Sequence, residues 1–164
     1  MTISTEQEFN RYSIAAFDFE AALRFARAAQ RHPTNSAEYE ALLFAAIVSY
    51  ARPFSGNEKS RQAEATSRLP LNFIDSVSGA GRKLHDECVS LRNRALAHSE
   101  HSKNPTQLRP SGVVASRPFS LLTPSFDLVG FVRLAEGRKE ACERERAEYV
   151  LGKRRRAVPG RTAG

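Results

Sequence analysis

Apolar residues return along most of this chain at helical rather than strand spacing. Thr5-Glu6-Gln7-Glu8 has the Thr-x-x-Glu form of a capping box, which predicts the opening of a first helix. Ile14, Phe17, Ala21, Phe25 and Ala28 then recur as one stripe, widened on a flank by Phe19, Ala22 and Ala26. His32-Pro33 predicts its end, because the residue before a proline is pushed out of helical geometry. Asn35-Ser36-Ala37-Glu38 offers the next cap. Tyr39, Leu42, Leu43, Ala46 and Tyr50 follow as a stripe, with Phe44 and Val48 on the opposite side. A helix apolar nearly all round belongs in the middle of a bundle. Arg52-Pro53 stops it, and Ser55-Gly56-Asn57 turns the chain.

Residues 58–68 are polar and compatible with a short helix, and residues 69–74 read as a connector with buried apolar side chains. Gly79 and Gly81 each weaken a helix by about 1 kcal/mol against alanine, so a firm helical signal starts only at Arg82. From there Leu84, Cys88, Leu91 and Ala95 fall within a narrow arc. Behind His98 the chain is loop-like through Thr123, with Pro105, Pro110, Gly112 and Pro118, and Val113-Val114-Ala115 reads as a strand or half a hairpin. A connection of that length in a small domain is usually functional or disordered.

Thr123-Pro124 predicts the start of a last helix. Its apolar face carries Leu128, Phe131, Val132, Ala135, Cys142 and Tyr149, interrupted by Lys139 and Arg146. Its charged second half is expected to overhang into solvent or onto a partner subunit. These elements predict an all-α fold: an antiparallel bundle of about four to five helices, with an irregular loop or small hairpin inserted before the last helix. Residues 1–150 form one domain, and residues 151–164 a basic, flexible tail.

Charge refines this picture. Of the net +7, Lys153, Arg154, Arg155, Arg156 and Arg161 supply five, which leaves +2 for residues 1–152. The tail can touch nucleic acid or simply keep the chain solvated. The longest apolar run, residues 41–51, is too short to span a bilayer, and the start of the chain has no secretory pattern. Cys88 and Cys142 fall on helical stretches rather than in a disulfide framework, so a reduced, cytoplasmic setting is expected. His98 and His101 lack a matching cysteine or carboxylate pair, so neither metal nor cofactor is expected. His32 and His85 read as structural or exposed. Both cysteines lie on core faces without an arranged base, which argues against either as a nucleophile.

Leu91-Arg92-Asn93-Arg94-Ala95-Leu96-Ala97-His98 is where chemistry concentrates. An arginine followed by a polar residue precedes a histidine that closes an amphipathic helix. This pattern resembles the signature of the HEPN domains, small helical proteins of which many are metal-independent RNases acting as dimers. Tyr50-Ala51-Arg52-Pro53-Phe54 also looks like a block found in some HEPN-like families. The likeness covers the motif helix best, and residues 35–100 loosely. Five residues separate Arg92 from His98, one more than the family's commonest form. Glu100 stands where some HEPN toxins carry a tyrosine that a partner nucleotidyltransferase modifies, so regulation of that kind is not implied.

The resemblance implies an endoribonuclease with Arg92, His98 and Asn93 as its catalytic residues, and Arg94 and Arg52 as further RNA contacts. It also implies a toxin–antitoxin or phage-defence setting, with RNA as substrate and an antitoxin or other protein as a partner. On an ideal helix Arg92 and His98 project about 120° apart. Either the helix unwinds before His98, or a second subunit completes the site across a two-fold axis. The composite dimeric site is the one the resemblance implies.

Residue chemistry suits that role. A histidine titrating near neutrality can take a proton from a ribose 2′-hydroxyl or give one to a leaving oxygen. A permanently charged arginine can brace the phosphate. Cleavage by the ribose's own hydroxyl would leave 2′,3′-cyclic phosphate ends. Each residue also has a plainer role: His98 as a helix-terminal histidine on the last carbonyls, Arg92 and Arg94 as a solvated helix face, Arg52 as a helix C-terminal cation. The alternative function is a non-catalytic helical module that binds a nucleotide, a nucleic acid or a protein.

Overall fold

Four α-helices carry the described part of the chain: α1 (Thr5–Ala29), α2 (Ala37–Ala51), α3 (Gly79–Leu91) and α4 (Leu128–Ala157). The structure is a computed structural model and describes residues 5–55, 68–93, 106–108, 114–116 and 126–157. Short 3-10 turns follow α2 (Arg52–Phe54) and precede α3 (Leu71–Ile74). Between α3 and α4 lies a small antiparallel hairpin, β1 (Thr106–Leu108) and β2 (Val114–Ser116), with Thr106 opposite Ser116 and Leu108 opposite Val114. The fold is therefore all-α, a helical bundle with a hairpin insert before the last helix.

α1 is the central member, packed between α2 and α4. It runs antiparallel to α4: the Phe9 and Tyr149 rings meet at 4.9 Å, Lys139 Nζ reaches Glu20 Oε2 at 2.5 Å, and Arg27 reaches Glu136 at 2.6 Å. α4 thus lies along α1 as far as Tyr149, so the overhang expected of its second half is confined to the residues beyond it. α2 returns against α1, bringing the Tyr50 ring to 5.6 Å from Phe19. Ser36 caps α2 by accepting the Tyr39 backbone N–H on its hydroxyl at 3.1 Å.

The buried face of α1 is not the stripe through Ile14 and Phe17. Ala15, Ala16, Phe19, Ala22, Leu23, Ala26 and Ala29 are buried, whereas Phe17 is 71% exposed and Ile14 47%. Both sets recur at helical spacing, so periodicity alone does not choose between them. Close approach does: helix axes pack about 8–10 Å apart according to the side chains at the contact. A helix held between two neighbours turns its small residues inward.

Around Tyr50 the elements converge. Its ring lies 5.6 Å from Phe54, 5.4 Å from Phe131 of α4 and 5.9 Å from His85 of α3. The connector before α3 is fastened by the Leu69 N–H, which donates to the Pro53 carbonyl at 2.8 Å, and by the buried Leu69 and Ile74 side chains. α4 opens at Leu128; Thr123-Pro124, expected as its start, lie outside the described residues. Asp127 caps it by accepting the Gly130 N–H on Oδ1 at 2.8 Å. α4 continues to Ala157, and residues 158–164 of the expected tail lie outside the described residues. Among the described residues no helix is long and apolar enough to cross a membrane.

Urea unfolding checks which face of α1 is inside. Phe19→Ala should cost about 3–5 kcal/mol through lost burial and a residual cavity, and Phe17→Ala well under about 1 kcal/mol. Equal costs would contradict the assignment.

Candidate functional site at the end of α3

The last turn of α3 is set by its buried side. Leu84 and Cys88 are buried and Leu91 packs against the core, as the expected arc has them; Ala95, its fourth member, lies outside the described residues. Arg92 keeps right-handed helical geometry, and its N–H is shared between the carbonyls of Cys88 and Val89. Arg92 Nη1 donates to Asn93 Oδ1 at 3.0 Å on the exposed side of the helix. Among the described residues, no carboxylate pairs with the Arg92 guanidinium.

The structure thus brings Arg92 and Asn93 into contact. His98 and Arg94 lie outside the described residues. Arg52 has an intramolecular partner: Nη1 sits 3.1 Å from Asp18 Oδ1, a carboxylate largely buried on α1. Burial raises the Asp18 pKa, and the Arg52 charge pulls it back in part. The pair ties the turn after α2 to α1, which suits the plainer structural role for Arg52.

His85 is structural. It is buried against the edge of Phe54 at 4.5 Å, and its Nδ1 shares a 2.9 Å hydrogen bond with the Tyr50 hydroxyl. Burial lowers its pKa below the ordinary 6.5, which keeps the ring neutral at pH 7. Cys88 and Cys142 are free and buried. Burial pushes the Cys88 thiol far up and the Cys142 thiol up to about 12, so neither is an available thiolate near neutral pH. Among the described residues, no three His, Cys, Asp or Glu side chains gather as a metal site would need.

Arg138 escaped the sequence reading. It is only 8% exposed, in the middle of α4. The signal was present in its register: Arg138 is seven residues after Phe131, three after Ala135 and four before Cys142, all buried. A charged residue type at an apolar position is easily assigned to solvent when only residue type is weighed.

Comparison with known proteins finds no matching family model, no matching curated protein and no matching solved structure. The reading of this site therefore rests on the chain's own residues.

The His85 environment has a pH consequence. Its folded pKa lies below the unfolded value of 6.5. Below pH 6.5 the unfolded chain takes up a proton that the folded chain refuses, so stability is full above that pH and falls as the pH drops toward the folded pKa. Denaturation midpoints measured from pH 7.5 to 5 should decline, and His85→Asn should flatten that decline while lowering the plateau. Parallel profiles for the two proteins would refute the assignment.

Proposed function

We propose that the end of α3 is an RNA-processing site, and that the chain is a HEPN-like, metal-independent endoribonuclease. One observation supports it most: the Arg92 guanidinium is held by a neutral amide, Asn93, with no carboxylate partner among the described residues. A cation so placed keeps its full charge for a phosphate. In this reading His98 moves the proton between the ribose 2′-hydroxyl and the leaving oxygen. Arg92 offsets charge that builds on the phosphate, and Asn93 fixes the guanidinium's direction. A second copy of the chain completes the site across a two-fold axis. A toxin or phage-defence role, with an antitoxin or other protein as partner, belongs to the same reading.

One observation favours the alternative of a non-catalytic module binding a nucleotide, a nucleic acid or a protein. The net charge of residues 1–152 is only +2, slight for a surface that must hold RNA by its phosphates.

The two readings part on one assay. The purified chain, with His98→Ala and Arg92→Ala beside it, is incubated with RNA in EDTA and the products are mapped. Cleavage leaving 2′,3′-cyclic phosphate ends, reduced at least about 100-fold in each variant, is the expected result. RNA bound but uncut by the wild-type chain would support the module. Equal cleavage by all three proteins would mean that the activity is not theirs.

A further inference from the structure

A cavity of about 350 Å³ lies between the first turn of α3 and the first half of α4, at the opposite end of α3 from Arg92. Its charge does not balance. Arg133 and Arg138 line it against one carboxylate, Asp127, which already accepts the Gly130 N–H. Arg138 is the telling residue. Its two Nη groups donate to neutral oxygens, the Phe73 carbonyl and the Ser76 hydroxyl. Its guanidinium lies over the Phe73 ring, and its buried Nε has no hydrogen-bond partner. Among the described residues no carboxylate forms an ion pair with it. A buried cation without a counter-charge costs several kcal/mol, which an anionic occupant would offset.

The shape of the cavity points the same way. Gly137 lines it from the interior of α4, where glycine costs about 1 kcal/mol against alanine. A Cβ placed there would meet nothing within 4 Å, so no close packing requires a glycine. The space over Gly137 belongs to the cavity. Val77, Leu84 and Leu134 supply an apolar wall. Ser78, at the N-cap of α3, makes no side-chain capping bond, which leaves the partial positive charge of that helix end facing the same region. The second cavity that Arg138 borders, about 280 Å³, carries the same imbalance, with Arg138 and Arg144 against Glu145, but it is mostly polar and has no comparable apolar wall.

We propose that the first cavity binds an oxyanion carried on a small apolar body. Arg133 and Arg138 take the oxyanion, and the wall of Val77, Leu84 and Leu134 takes the body. Its volume falls in the range of small-molecule sites and exceeds what a bare inorganic anion fills.

Calorimetric titration of the full chain at low salt tests this with phenyl phosphate, benzoate, inorganic phosphate and phenol as probes. Phenyl phosphate or benzoate should bind at least about tenfold more tightly than inorganic phosphate or phenol, and whichever leads names the oxyanion. Arg133→Gln should weaken that binding about tenfold or more. Gly137→Leu, with an unchanged circular dichroism spectrum and melting temperature, should abolish it by filling the cavity. If Gly137→Leu melts early, Arg133→Gln decides alone. His98→Ala should bind as wild type does, so failure here is separable from failure of the RNA reading. No binding of either organic anion below about 10 mM, or wild-type binding in Arg133→Gln, would overturn the proposal.

Discussion

Tyr50 is the contact on which the arrangement depends. One fully buried phenol ring meets Phe19 of α1, Phe131 of α4, Phe54 in the turn after α2, and His85 of α3. Its apolar ring supplies much of the core's bulk, and its hydroxyl must find a partner once water is excluded. His85 provides that partner and is itself kept neutral by burial. The hydrogen bond therefore fixes both the position of α3 in the bundle and its rotation about its own axis. With His85 and Cys88 turned inward, Arg92, seven and four residues further on, stands half-buried at the edge of that face, and Asn93 beside it is exposed.

Much of this could be read from the residues. Ser36 caps α2 as its position before an apolar run implies, and the arc of Leu84, Cys88 and Leu91 is buried because seven residues complete two helical turns. The hairpin strand at Val114 falls where a short β-rich stretch interrupts the loop. What was not legible depends on neighbours. Ile14 and Phe17 carry the right spacing but lie outside, since α1 needs its alanines where two helices press against it. Asp127 holds the first turn of α4 through the Gly130 N–H, a cap that the apolar pattern after it did not single out. Arg138 sits in a core register that residue type alone conceals.

The candidate site was legible in a different sense. Arg92, Asn93 and His98 were marked out by type and order, and the structure adds the contact between the first two and the exposure of Asn93. Arg52 shows the limit of such marking: a cation at a helix end suits a phosphate equally well, yet its guanidinium is held by Asp18. The two ends of α3 carry different kinds of charge. At one, a half-buried arginine is held by an amide; at the other, a buried arginine with no carboxylate partner among the described residues borders a cavity.

The account's central claim is that RNA meets the chain at the exposed end of α3. Amide chemical-shift mapping of the isotope-labelled full chain, titrated with a 2′-O-methyl RNA that cannot be cut, tests it directly. The largest shifts should fall on Arg92, Asn93 and His98, and the Arg92→Ala protein should lose them. Saturable binding whose shifts lie elsewhere and leave these three residues unmoved would contradict it.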